Sequence, residues 1–213
     1  MAGSEADGLP AQTKSLHAQE RDTEENRQRR EEFVEVIGRI DLDRLIFLDE
    51  SGVSTRMTRL YARSAGGGRI HETTPGGRWK ILTILGAIGT RGMVATMTVE
   101  PATDREILLA YLDEVLGPKP RLGDVLVMDN RSSHKVSGVR ERIEAAGARL
   151  LSPPPYSPGL NPIGRAWEKL KQLSRAAKAR TKEALDEAFA QMLPWLTAEH
   201  AKASFRLPCN ALQ

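Results

Sequence analysis

Several features are scarce or absent in this 213-residue chain, and each absence narrows what it does. It has one cysteine, Cys209, so it forms neither an internal disulfide nor a thiolate zinc site, as suits a reducing cytoplasm. No stretch approaches the 18 uninterrupted apolar residues of a membrane span. Residues Met1 to Pro10 lack the basic-then-apolar layout of a signal peptide, so a cytoplasmic rather than exported protein is expected. No internal repeat is visible. Between Ser51 and His71 there is no acidic residue, yet there are four arginines, Arg56, Arg59, Arg63 and Arg69.

Hydrophobic residues make up 40% and charged residues 28%, with a mean hydropathy of −0.40. These values describe a soluble globular chain with one full core, or at most two small ones, and argue against wholesale disorder. The net charge is +3, but it is unevenly spread. The first 43 residues carry 6 basic and 11 acidic side chains, and the remaining 170 carry 25 and 17. A basic field of this kind draws a polyanion such as nucleic acid; an ordinary solvated basic face has the same composition.

Residues 1–30 are polar and without apolar period, and are read as a flexible arm. Glu31 to Ile40 has helical spacing through Phe33, Val36, Ile37 and Ile40. Arg44 to Asp49 and Asp124 to Asp129 are short, continuously apolar runs, the pattern of strands covered on both faces. Met57 to Arg63 is read as the start of an antiparallel section, and Ala65 to Arg69 as a glycine-rich turn. Trp79 to Ile88 and Met93 to Val99 form a hairpin around Gly89-Thr90-Arg91-Gly92. Helices are predicted over Asp104 to Leu116, Ser133 to Ala146 and Thr181 to Leu196, with a short strand at Arg149 to Leu151. Asn161 is read as the cap of a further helix, with Pro162 at its first position and Ile163, Trp167, Leu170 and Leu173 on its buried stripe. An antiparallel group followed by alternating strands and helices predicts a mixed α/β domain.

Both apolar strands end in acid, Asp49-Glu50 and Asp129-Asn130. In open α/β sheets functional sites lie beyond the carboxyl ends of strands. If the two strands are neighbours, Asp49 and Asp129 face one crevice, and two close carboxylates require a cation or proton between them. Oxygen ligands favour Mg²⁺ or Mn²⁺, and a carboxylate-bridged metal pair serves in-line attack on a phosphodiester. Acids also end strands simply because the chain is returning to water. A receiver-like phosphoacceptor also gathers aspartates at strand ends, but it needs regular βα alternation, which the long stretch between Asp49 and Asp129 does not provide.

The segment Ser152 to Lys171, SPPPYSPGLNPIGRAWEKLK, closely resembles the PPYSP-x-LNPIE-x-x-W-x-x-LK signature of DDE-type transposases, in the bacterial insertion-sequence branch of the mariner-like superfamily. The likeness extends through Phe47 to Ser51, Met57 to Arg63, Trp79-Lys80, Met128 to Asn130, His134-Lys135 and Glu144 to Ala148, and upstream to Ser15 to Ala18 and Glu20 to Asp22. In order and spacing it spans most of residues 14–206. It implies a ribonuclease H-like fold with a five-stranded mixed sheet flanked by helices. It also implies two-metal cleavage of DNA at transposon ends, followed by joining of the freed 3′ hydroxyl to target DNA.

Asp49 and Asp129 match the first two catalytic, metal-binding aspartates. The third acid is the Glu of NPIE, and here that position is Gly164, with 34 residues between it and Asp129, the separation typical of the family. Gly within a helix costs about 1 kcal/mol relative to Ala, and this one also removes the reciprocal cap that Glu would give Asn161. Local stability therefore gives no reason for the glycine, and drift is the simpler account. Losing one of three carboxylates leaves the second metal poorly held, so weak or no transposition is expected.

Glu50 and Glu168 are candidates for auxiliary acids, although Glu168 lies a helical turn beyond the site. His134 is either a phosphate or metal-site contact or an ordinary helix-start histidine. Arg56, Arg59, Arg63, Lys80 and Lys135 are candidates for the DNA backbone. Trp79 and Trp167 are read as core rather than as base-stacking platforms, and Tyr156, in a proline-stiffened loop beside the site, as packing beneath that loop with a DNA contact as the alternative.

The resemblance assigns residues 31–200 to the transposase domain and leaves 201–213 as an irregular tail, since Leu207 to Asn210 departs from the family pattern. No helix-turn-helix module fits before residue 31, so a catalytic half or remnant is expected. A homodimer, or mixed assembly with an intact transposase, is the expected association. The alternative is a non-catalytic DNA-binding or oligomerising remnant.

Overall fold

The computed structural model describes residues 18–59, 61–64, 68–74, 76–100, 103–129 and 138–210, the last five by backbone alone. Five strands form one mixed sheet: β1 (Leu45–Ser54), β2 (Ile81–Gly89), β3 (Gly92–Val99), β4 (Val125–Met128) and β5 (Arg149–Leu151), in the order β3-β2-β1-β4-β5. The first three pair antiparallel, whereas β1 with β4 and β4 with β5 are parallel. Helices α1 (Glu24–Gly38), α4 (Ile163–Ala177), α5 (Lys182–Met192) and α6 (Ala198–Asn210) contribute to the core on one side of the sheet. On the other side lie α2 (Arg105–Ala110), its wider π-helical continuation Tyr111–Leu116, and α3 (Val139–Ala145).

The period-two alternation of strand side chains separates the two cores. Leu45, Phe47 and Val53 of β1 join Leu82, Ile84 and Ile88 of β2 and Val125 and Val127 of β4 under α4. Ile46, Leu48, Leu85, Ala87, Leu126 and Met128 point to the opposite side. Each large apolar side chain fully buried in this way contributes about 1.5–3 kcal/mol. The hairpin between β2 and β3 closes at Gly92, whose φ of +120° suits glycine, while the Thr90 hydroxyl donates to the Asp43 carboxylate.

One contact seats α4. Gly86 of β2 leaves room for the indole of Trp167; a β-carbon there would lie 2.8 Å from Cζ2 and closer still to Cη2. Glycine is required because the helix approaches the strand at the distance of an aromatic ring. Another contact aligns the central strands. Asp124, just before β4 and 5% exposed, accepts from the Arg121 amide at 2.7 Å and from the Arg44 guanidinium just before β1 at 3.3 Å. The two strands thus start level.

Several expected boundaries are corrected. The flexible arm through residue 30 is overturned from Glu24 onward, where α1 begins behind the Thr23 cap. Its first turns are held by side-chain pairs such as Arg29–Glu25 at 2.6 Å and Gln28–Glu32 at 3.1 Å rather than by an apolar stripe, so periodicity does not reveal them. The C-terminal segment is not irregular: α6 runs to Asn210, with Ala201 and Phe205 in the core and the Phe205 ring edge-on to Phe47 at 5.3 Å. Strand β1 extends to Ser54 because β2 pairs with it from Phe47 to Ser54, whereas none of the described residues in Met57 to Arg63 forms a strand. The predicted helix over Ser133 to Ala146 is seen from Val139, and its earlier part lies outside the described residues. The last predicted helix stops at Met192 and passes into a 3₁₀ turn, Leu193–Trp195.

Candidate active site

Strands β1 and β4 are parallel neighbours, and Leu48 opposite Met128 is their last pair. The next residue on each is an aspartate. Asp49 and Asp129 therefore stand level on strands about 4.8 Å apart. By alternation they continue the row of Leu45 and Phe47 and of Val125 and Val127, the face on which α4 packs. Both side chains are half-buried and line one cleft of about 460 Å³. The expected convergence of these two residues is what the register produces.

The opposite wall is the chain from β5 into α4: Pro153, Pro154, Pro155, Tyr156, Ser157, Pro158, Asn161 and Gly164. With Trp167 packed over Gly86, and Gly86 paired with Asp49, the first turn of α4 is brought beside the acidic strands. A β-carbon at Gly164 would meet nothing within 4 Å. Position 164 thus shares the cleft with both aspartates and has room for a longer side chain.

Asn161 does not cap the helix with its side chain. The helix begins at Ile163 behind Pro162, and the Asn161 carbonyl accepts from the Gly164 amide at 3.3 Å. Its Oδ1 is buried without a hydrogen-bond partner among the described residues. Tyr156 is corrected as well: it is 48% exposed on the cleft wall at φ +56°, rather than packed beneath the loop.

The remaining candidates divide. Glu50 lies one residue past Asp49 and so faces the other side of the sheet, away from the cleft. Glu168 is exposed one helical turn beyond Gly164 and is not among the cleft residues. His134 and Lys135 lie outside the described residues. Arg56, Arg59, Arg63 and Lys80 are exposed on the segment leaving β1 and returning to β2. Trp167 is buried as expected, but Trp79 is 49% exposed, with the Arg56 guanidinium 4.9 Å above its ring. It belongs to the basic segment, not the core, because β2 begins only at Ile81. The Arg180 guanidinium anchors that segment by donating to the carbonyls of Thr55 at 3.0 Å and Met57 at 3.2 Å.

Among the described residues no group of three or more His, Cys, Asp or Glu side chains is placed to hold a metal ion. Asp49 and Asp129 offer oxygen donors on one cleft, a donor chemistry that suits a hard divalent cation. Asn161 on the cleft and the exposure of Tyr156 are what sequence reasoning did not favour. The proline run beside Tyr156 was the available signal.

Residues 44–186, about two thirds of the chain, match the family described as DDE superfamily endonuclease. The chain belongs to that family. No protein of curated function matches the sequence. Among solved structures, the mariner Mos1 paired-end complex with Mg is 16% identical with a TM-score of 0.77, covering 97% of this chain and 65% of that one. The Mos1 transposase paired-end complex with left transposon end is also 16% identical, with a TM-score of 0.75, covering 98% and 66%. The catalytic domain of Mos1 mariner transposase matches at 16% identity and a TM-score of 0.61, covering 87% and 90%. At this identity the likeness is one of fold, and the DDE endonuclease chain has the ribonuclease H-like architecture expected of it. It spans just under two thirds of the Mos1 chains in the two complexes.

Proposed function

We propose that this DDE endonuclease is the catalytic domain of a transposase, in the bacterial insertion-sequence branch of the mariner-like superfamily. It acts in the cytoplasm to cleave DNA at transposon ends and join it to target DNA, and it is impaired by the glycine at position 164. In this reading the domain runs from α1 to α6. One observation carries the proposal: Gly164 lines the cleft of Asp49 and Asp129 with open space where a third carboxylate would stand.

Asp49 and Asp129 would hold Mg²⁺ or Mn²⁺. Bound there, a divalent cation supplies Lewis-acid stabilisation to the attacking and leaving oxygens of a phosphodiester. The chain's own contribution is to fix two carboxylates by strand register and to wall the cleft with a proline-stiffened loop. The exposed Arg56, Arg59, Arg63 and Lys80 supply charge for the DNA backbone.

The deciding experiment restores the acid. Plasmid nicking in Mg²⁺ is compared between the parent and Gly164→Glu, alongside calorimetric titration with Mn²⁺. The expected result is weak or undetectable nicking by the parent, with a gain of roughly 100-fold or more, about 2.7 kcal/mol of barrier, in the variant. Equal activity before and after restoration defeats the reading. The second reading, a non-catalytic remnant that binds DNA or joins a second copy or an intact transposase, is favoured by the same missing carboxylate. It predicts that DNA binding persists while Gly164→Glu stays silent.

A further inference from the structure

A second cleft, of about 390 Å³, lies between α1 and the loop that walls the acidic site. Arg21, Arg27 and Arg30 line it on one side and the Tyr156 to Leu160 loop on the other. Arg27, Arg30 and Val34 recur at helical spacing, so one face of α1 presents its cations to the loop. Glu31 is the one carboxylate lining the cleft, while Glu25 is paired with Arg29 and Glu32 with Gln28 outside it. Arg27 also lies 3.9 Å from Glu24, but both side chains are more than half exposed, at 57% and 89%, where solvent leaves such a pair weak. Arg30 donates to the Arg21 carbonyl and so holds the approach to α1 against the helix.

The two clefts share a wall. Tyr156, Ser157 and Pro158 line both, and Tyr156 stands between them with its ring exposed.

We propose that this cleft is a groove for a single unpaired strand of DNA leading to the acidic site. Arg21, Arg27 and Arg30 hold its phosphates, and Tyr156 stacks on a base. A row of cations along a groove beside an exposed aromatic is the recurring construction for single-strand binding. A stacked base is available only in an unpaired strand, because in a duplex each base face is already covered by its neighbours. The destination of the strand rests on the catalytic reading above; the binding itself does not.

The test is fluorescence anisotropy of the full chain with a labelled oligonucleotide, single-stranded and as a duplex, in chelator, so that catalysis plays no part. The single strand binds more tightly than the duplex. Arg21→Ala/Arg27→Ala, which removes no backbone-holding contact, weakens single-strand binding about tenfold or more and makes the salt dependence shallower by about 1.4 in the log–log slope. Tyr156→Ala costs about tenfold and Tyr156→Phe little. Arg29→Ala, on the same helix but outside the cleft, binds like the parent, which separates the groove from general charge. Variants that bind like the parent, or a parent that prefers duplex, overturn the groove. If these losses appear while Gly164→Glu remains silent in nicking, the catalytic reading fails and the groove stands. If nicking is restored and the losses do not appear, the groove alone fails.

Discussion

The two halves of the acidic cleft are built differently. Asp49 and Asp129 extend fully buried strand segments whose register is pinned by Arg44 and Asp124 at their start. Position 164 sits on the exposed first turn of α4, with nothing near it. A change in the apolar residues leading to either aspartate disturbs both cores, because each strand has an inward face on both sides of the sheet. A change at 164 disturbs nothing the fold depends on. Of the three positions, 164 is therefore the one where a substitution is most easily accepted without unfolding the chain.

Trp167→Ala tests this contrast most severely, because the indole over Gly86 is what joins the helix half to the strand half. It should lower unfolding stability by about 3–5 kcal/mol in denaturant titration; a loss under about 1 kcal/mol would show that α4 is seated by other contacts. Gly164→Glu should move stability by less than about 1 kcal/mol in the same measurement, whatever it does to nicking. A larger loss would mean that the cleft wall is closed at that point.

The smallest effect concerns the basic segment. Its Glu72 carboxyl is held below the ordinary carboxylate range, chiefly by its hydrogen bond from Lys178 and then by that from Thr58. A depressed folded-state pKa means that this tie is present above about pH 4.3, the ordinary value, and is lost as pH falls through the lower folded value. Amide protection factors around Glu72, corrected for the intrinsic exchange rate, should accordingly fall once pH drops through that lowered value while the central strands stay protected. Unchanged exchange there would show that Arg180 alone holds the segment.

The strand runs Leu45 to Leu48 and Val125 to Met128 are legible in the sequence because a short, unbroken apolar stretch ending in acid is the mark of a strand covered on both faces. The site follows from what comes next on each. The stripe of α4 is legible for a similar reason, with Ile163, Trp167 and Leu170 repeating at helical spacing. The first turns of α1 are not, because they are held by charged pairs one turn apart and carry no apolar period. Helix α6 is hidden by Pro208 and by a family pattern that stops near Arg206. Trp79 misleads because an aromatic beside a strand is usually buried; here its ring lies under Arg56 and outside the sheet. Asn161 resembles a cap because Asn before Pro opens many helices, whereas its amide oxygen is buried without a hydrogen-bond partner among the described residues.

Strand β1 is the middle of five, hydrogen-bonded on both edges to neighbours that are themselves flanked. Partial opening of such a sheet begins at its outer members, here β3 and β5, and reaches the innermost pair last. The two aspartates would consequently stay side by side through fluctuations that already release the surrounding helices. The strand pair that leads to Asp49 and Asp129 is thus the last part of the sheet to open.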